Sequence, residues 1–209
     1  MSTDRHVTLF HSPRSRAAGV HILLNELDAD FDLHVLDLQK NQQREPAFLA
    51  INPMGKVPAI RHGEAVVTEQ SAVYLYLGDL YADRGLAPQM GDPLRGAYLR
   101  WLAFYGSCFE PAIIDRYMKR EPAPAGMNPY GDFDTMFGTL TAQLERGDWI
   151  LGDRYTVADV LWGAALTWMI GFGIVPATPL LQAYIDRFNA RPKVMATRTS
   201  DAQLAASMS

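Results

Sequence analysis

Cysteine is nearly missing from this chain: Cys108 is the single one in 209 residues. One thiol cannot close an internal disulfide and offers no thiolate framework for a structural metal. No C-x-x-C pair occurs, and no cysteine precedes position 108, which sets aside a protein disulfide oxidoreductase. Long apolar runs are also missing. None approaches the ~18 residues of a membrane span, and the opening Met-Ser-Thr-Asp-Arg-His lacks the apolar stretch of a secretory leader. The expectation is therefore a cytoplasmic protein without a membrane partner. Charge of one sign is not concentrated either. Lys and Arg number 19 against 23 Asp and Glu, a net charge of −4. The basic residues form no run, which argues against nucleic acid as a partner. No internal repeat or low-complexity tract is present.

What the chain does have is apolar material, 48% of residues, enough for one or two cored domains. Residues 6–11 (HVTLFH) read as a short strand. Ser12-Pro13 then reads as a helix cap with Pro at the first helical position. Ala17, Val20, Leu23, Leu24 and Leu27 supply an apolar helix face. Residues 31–38 (FDLHVLDL) alternate with period 2, and 44–50 read as a short helix. Residues 57–61 and 64–67, joined at His62-Gly63, read as an antiparallel hairpin. A helix follows over 69–81, with Val73, Tyr76, Leu77 and Leu80 as its expected buried stripe. The order β-α-β-α-β-β-α has a crossover helix between its first two strands, which predicts that they run parallel.

The composition changes at Ala82-Asp83-Arg84-Gly85-Leu86-Ala87-Pro88, and no strand signal appears beyond Asp92. One long helix is expected over 93–119, with a kink at Glu110-Pro111. Three prolines within 121–129 mark a loop. Further helices are expected over 132–146, 156–171 and 178–189, and the tail from Ala202 is weakly patterned. Thr156-Val157-Ala158-Asp159 is a capping box. The predicted domains are 1–82, a linker at 83–91, and an all-helical domain at 92–209.

The most informative segment is Asn52-Pro53-Met54-Gly55-Lys56-Val57-Pro58-Ala59-Ile60. Asn-Pro and Met-Gly mark a turn. Val57 suits the extended geometry forced ahead of Pro58, and Pro58 belongs at the start of a strand. Together with the polar helix start at Thr68-Glu69-Gln70-Ser71 it could form a shelf for an extended, peptide-like ligand.

In this order, Leu9-Phe10-His11-Ser12-Pro13, Asn52-Pro53 through Ile60, Thr68 to Val73, Leu151 to Asp159 and Arg191-Pro192 resemble the glutathione S-transferase family over nearly the whole chain. The resemblance implies an α/β thioredoxin-like domain that holds glutathione as co-substrate, and an all-α domain that supplies most of the acceptor pocket. It implies a cis Val57-Pro58 peptide, with the Val57 backbone pairing with the tripeptide. Glu69, Gln70 and Ser71 would meet its γ-glutamyl end; Lys40 and Lys56 are candidates for its glycyl carboxylate, with solvated surface lysines as the alternative. The family usually has Ser directly after the acidic residue; here Gln70 intervenes. By the same analogy Tyr105, Cys108, Arg116 and Trp168 lie on helices that face the acceptor cleft, with packing in the core as the alternative; the protein pairs as a homodimer, and no metal is called for.

The chemistry is that of a thiol with an ordinary pKa near 8.5, roughly. Depressing it by about two units takes about 2.7 kcal/mol of preference for the anion. One hydrogen bond to a charged group contributes about 1.5–3 kcal/mol, so a single hydroxyl suffices. Ser12 is the candidate, and a plain helix cap is its alternative. Ser15 competes for the role. Arg16 stands where the family's cysteine-using bacterial branch has its reactive Cys; it is a candidate for stabilising thiolate charge or a solvated surface residue. The reading is a glutathione transferase acting on a small, largely apolar electrophile. A non-catalytic glutathione-binding scaffold, or isomerisation, dehalogenation or ether cleavage in the same fold, are the alternatives.

Overall fold

The structure, a computed structural model, describes residues 5–208. Residues 1–4, part of the stretch read above for a leader, and Ser209 lie outside the described residues. The chain divides into two compact units, Met1–Ala87 with Ala190–Ser209, and Pro88–Asn189.

The first unit is built on four strands, β1 (Val7–His11), β2 (Phe31–Val35), β3 (Ala59–His62) and β4 (Ala65–Val67), in the order β2-β1-β3-β4. β1 and β2 are parallel, with Leu9 opposite Leu33, as the crossover predicts. β3 is antiparallel to both β1 and β4. Helix α1 (Ala17–Glu26) makes the crossover, α2 (Pro46–Leu49) precedes β3, and α3 (Gln70–Leu80) follows β4. Period 2 along the strands divides the core in two. Leu9 and Ile60 are fully buried, as are Val20, Leu23 and Leu24 of α1 and Val73 and Leu77 of α3. Phe10 faces the other way, in a cluster with Leu36, Phe48 and Ala59 that Val57 also packs against.

Several elements differ from expectation. Ser12-Pro13 does not cap α1, which begins only at Ala17. Arg14 takes a left-handed φ of 60°, which stops a helix from propagating through it. Ser15 makes the turn instead: its hydroxyl donates to the Ser12 carbonyl at 2.6 Å and accepts from Ala17 N at 3.1 Å. β3 starts at Ala59, after the cis Val57-Pro58 bond, and its hairpin turns on Gly63-Glu64, because His62 pairs with Ala65. Gly63 takes φ 55°, which a glycine adopts freely. On α3 the buried stripe includes Tyr74 and Gly78, while Tyr76 and Leu80 are only half-buried.

The last element is the largest departure. A helix, α9 (Pro192–Ser207), begins ahead of the weakly patterned stretch and takes in its residues 202–207, and it packs on α1 within the first unit. The residues from Ala190 onward, expected in the helical domain, thus group with the α/β unit. Arg191 sends two bonds, of 3.0 and 2.6 Å, to the Glu26 carboxylate at the end of α1. Lys193 adds an ion pair to Asp28 at 2.6 Å.

The second unit is helical: α4 (Arg95–Phe104), α5 (Glu110–Tyr117), α6 (Phe133–Leu144), α7 (Val157–Gly171) and α8 (Pro179–Asn189). The single helix expected over 93–119 is interrupted by a π-helical segment, Tyr105–Phe109, two residues ahead of Pro111. Pro111 has no N–H to give, and the wider turn ahead of it absorbs the break. At the centre, Trp162 of α7 donates to the Trp101 carbonyl at 3.2 Å. Around it pack Tyr105 at 5.5 Å and Phe109 at 4.8 Å between ring centroids. The capping box of α7 is complete, with Thr156 and Asp159 bonded reciprocally.

Candidate functional site

The sheet registers bring most of the predicted glutathione-site residues to one end of the first unit. β1 and β2 are parallel, so His11 and Val35 leave the sheet together. β3 runs the other way, and its first residue, Ala59, lies opposite Phe10. β4 is antiparallel to β3 and exits at Val67 beside Ile60. Ser12 to Arg16 after β1, Lys40 after β2, Lys56 to Pro58 before β3, and Glu69 to Ser71 after β4 therefore all belong to the same edge. This is the end of the sheet at which ligands gather in open α/β folds.

The turn ahead of Val57 is held by its own side chains. Asn52, buried, donates from Nδ2 to the Lys56 carbonyl at 2.8 Å and accepts from Met54 N at 3.1 Å. Arg44 reaches the Met54 carbonyl at 3.3 Å. Gly55 turns the chain at φ 59°, with the Gln43 carbonyl only 2.9 Å from where a Cβ would stand. Beyond this braced turn, Val57 belongs to no ladder pair, and its amide and carbonyl make no hydrogen bond with the described residues. Its side chain is half-buried in the Phe10 cluster. An anchored extended residue with both main-chain groups unused can pair with a peptide strand.

Ser12 is buried, and its hydroxyl makes no hydrogen bond with the described residues. The Ser15 hydroxyl, by contrast, is spent on the turn. Of the two candidate donors, Ser12 is the one with its O–H uncommitted. Arg16 is exposed at the residue before α1. Lys40 is exposed and ion-paired to Asp37 at 2.9 Å, whose carboxyl is held below its usual range by that Lys40 hydrogen bond. Lys56 is exposed and forms no ion pair among the described residues. Glu69 is exposed, with φ 64° at the cap of α3, a conformation a residue with a Cβ rarely adopts. The Gln70 amide approaches the Tyr74 hydroxyl one turn on, yet neither Gln70 Oε1 nor Tyr74 OH, both buried, completes a hydrogen bond. Burial pushes the Tyr74 phenol well above its usual range. Ser71 is half-buried in the first turn of α3.

The four residues named for the acceptor all lie in the second unit. Tyr105 is buried in the aromatic core beside Trp162. Arg116 stacks its guanidinium 3.9 Å over Phe133. Cys108 is half-buried in the π-helical segment, with Sγ 3.6 Å from the Pro129 carbonyl. Trp168 is partly exposed and tilts against the exposed Phe172 at 4.8 Å.

Sequence reasoning passed over one cluster. His11 Nε2 and His21 Nδ1 both bond to Asp201 Oδ1, at 3.0 and 2.8 Å. His21 is thus a satisfied core histidine, as an apolar helix face suggests. Burial works to raise the Asp201 carboxyl, but the hydrogen bonds and charges of the two histidines outweigh it and hold it at about 2. These side chains form the one group of three His, Cys, Asp or Glu ligand atoms within 4.8 Å among the described residues. The two hydrogen bonds already satisfy the shared oxygen without an ion.

A four-stranded mixed sheet with a cis-proline before its third strand, joined to a helical unit, defines a thioredoxin-like, two-part architecture. The model of the glutathione S-transferase N-terminal domain matches residues 5–79, and that of the C-terminal domain matches residues 113–192. The chain belongs to the glutathione S-transferase family. It is similar to a glutathione transferase structure from Methylococcus capsulatus str. Bath, with 30% identity, 94% of this chain and 99% of that chain covered, and a TM-score of 0.78. A sphingomonad glutathione S-transferase complexed with glutathione is 31% identical, with 93% and 98% covered and a TM-score of 0.74. Among curated relatives, glutathione S-transferase GstA of Escherichia coli O157:H7 is 25% identical over 189 residues, 89% of this chain and 94% of its own.

Proposed function

We propose that the protein is a glutathione transferase that binds the tripeptide along Val57 and ionises its thiol with Ser12. The observation that carries the reading is the pairing of two unused groups at one sheet edge: the main chain of Val57 and the hydroxyl of Ser12. The sphingomonad relative was solved with glutathione, which supports the same ligand here. Glutathione lies antiparallel to the Val57 segment, exchanging main-chain hydrogen bonds with it. Glu69, Gln70 and Ser71 at the start of α3 hold the γ-glutamyl end, and Lys56 holds the glycyl carboxylate; Lys40 is partly neutralised by Asp37. The Ser12 O–H donates to sulfur and favours the thiolate, whose proton leaves to solvent. The sulfur lone pair then forms a C–S bond at the electrophilic carbon while the leaving group departs with its electron pair. The acceptor is a small, largely apolar electrophile, and Trp168 is the exposed aromatic best suited to it among the four residues named. The same reading carries a cytoplasmic homodimer, and light scattering tests the dimer.

Ser12→Ala tests the assignment. Conjugation of glutathione to a halonitrobenzene should fall about ten- to a hundredfold, the worth of one hydrogen bond to an anion, with KM for glutathione little changed. Full activity in S12A would remove Ser12 from the chemistry. The Gln70 departure favours a second reading, a glutathione-binding scaffold. That reading wins if the wild type binds glutathione but turns over no member of a broad electrophile panel. A thermal shift with millimolar glutathione comes first, since a ligand at 100 Kd stabilises by about 2.7 kcal/mol; no shift would sink both.

A further inference from the structure

The segment carrying Ser12, Ser15 and Arg16 has a fixed anchor at each end, and both anchors meet on one atom. His11 is the last residue of β1, and its side chain is fully buried. Among the described residues its Nδ1 has no partner, so the Nε2–H bond to Asp201 is the only polar tie of that ring there. His21 lies one turn into α1 and donates from Nδ1 to the same Asp201 oxygen. The two rings also meet edge-on at 5.3 Å. The loop between them therefore spans a gap whose width Asp201 sets. Within it, Arg14 is held at positive φ and Ser12 is kept buried. Ser12 follows His11 directly, so any rotation of the His11 backbone turns the Ser12 hydroxyl. Asp201 itself is carried by α9, whose first turn is tied to α1 by the Arg191–Glu26 pair and to the turn after α1 by the Lys193–Asp28 pair.

We propose that Asp201 is a positioning residue for the loop at 12–16, stapling the end of β1 to the first turns of α1 so that the thiol-activating hydroxyl is aimed. This rests on the glutathione transferase reading above. The carboxylate does not touch substrate; it acts through His11 and His21 by accepting their hydrogen bonds. Asn in its place still presents an oxygen to both rings, whereas Ala leaves two buried N–H groups without an acceptor.

The test is the pH profile of bound glutathione, read by thiolate absorbance, together with kcat and KM, in wild type, D201A, D201N, R191A and S12A. In D201A the thiolate midpoint should rise by about one pH unit and kcat fall about tenfold, while KM for glutathione stays within about twofold. D201N should recover most of both. R191A, which loosens α9 without touching either histidine, should lower Tm and leave the midpoint unchanged. If D201A does not fold, His11→Gln, which spares the His21–Asp201 bond, is read in its place. A midpoint that stays fixed in D201A, or moves equally in R191A, overturns the proposal. Its failure is separable from that of the parent reading. A midpoint moved by S12A but not by D201A sinks the positioning role alone. One moved by D201A but not by S12A keeps the staple and removes Ser12 as donor.

Discussion

Gly55 is the residue whose replacement separates binding from catalysis most cleanly. It turns the chain at φ 59°, and an added Cβ would meet both the Gln43 carbonyl and Arg44 Nη1 at 2.9 Å. Neither steric problem lies at Ser12, but both act on the turn that delivers Val57. Left-handed geometry costs a residue with a Cβ about 1–2 kcal/mol, and the close contact with main chain adds to it. Gly55→Ala should therefore raise KM for glutathione about fivefold or more while kcat at saturation changes little; steady-state kinetics over a range of glutathione reads both. Gly163 is its counterpart in the second unit. A Cβ there would stand 2.4 Å from Phe188 Cγ in the packed core, so Gly163→Ala should cost about 1–3 kcal/mol by overpacking. Urea unfolding should show that loss with no change in KM, since every residue assigned to glutathione belongs to the first unit.

At the scale of elements, Asp159 decides whether α7 starts where it does. Its carboxylate takes four bonds: from Ile150 N at 2.7 Å, Tyr184 OH at 2.9 Å, Thr156 N at 2.8 Å and Thr156 Oγ1 at 3.0 Å. Asp159→Ala strands two buried main-chain donors and removes the cap, a loss of about 3 kcal/mol or more. The urea midpoint should drop accordingly. This element was legible because a capping box is local, three residues from end to end. The hairpin was legible for the same reason, and the parallel β1–β2 pair because a crossover helix between two strands fixes their direction. α9 was not. Its buried positions are Val194, Thr197, Asp201 and Ala205, a correct helical spacing written in residues that carry little hydrophobic signal. Charge pairs and the two histidines, rather than an apolar stripe, dock it. The π-helical segment was hidden too, because Pro111 announces a break without saying how the preceding turn absorbs it. In the candidate site, Ser12, Val57 and Gln70 could be named because each sits in a short motif. Asp201 could not, since it meets His11 across 190 positions of chain.

For the molecule as a whole, the division into two units gives pH two separate points of action. Burial, offset only in part by four hydrogen bonds, pushes the Asp159 carboxyl up to about 6. A carboxyl whose folded pKa is raised binds its proton in the native state after the unfolded chain has lost it. Its stabilising contribution is therefore complete below the unfolded value of 3.8 and is lost as pH climbs through about 6. The difference corresponds to about 3 kcal/mol. Asp201 has the opposite sign. Held at about 2, it stabilises above 3.8 and fails as pH falls toward 2. Asp28, Asp37 and Asp83 shift in the same direction in the first unit, and Asp92 and Asp132 do so in the second. Each of these acts below about pH 5, where the unfolded chain begins to bind the proton, so only the acid end of the Asp159 window overlaps with them. All five histidines lie in the first unit, and all four tryptophans, at 101, 149, 162 and 168, lie in the second. Tryptophan fluorescence therefore reports the unit that holds Asp159 and contains no imidazole to titrate in that window. Its urea midpoint should fall from about pH 5, above the range of Asp92 and Asp132, to just above pH 6 and then level off. Asp159→Asn, weaker overall, should flatten that slope because no proton remains to be exchanged. Below pH 4, circular dichroism should reveal a loss of helix that begins before the tryptophans respond, as α9 leaves the first unit. A fluorescence midpoint that rises between about pH 5 and 6 would mean that the bonds from Ile150, Thr156 and Tyr184 outweigh burial, and that Asp159 is an anion held firmly in the core rather than one held there at a cost.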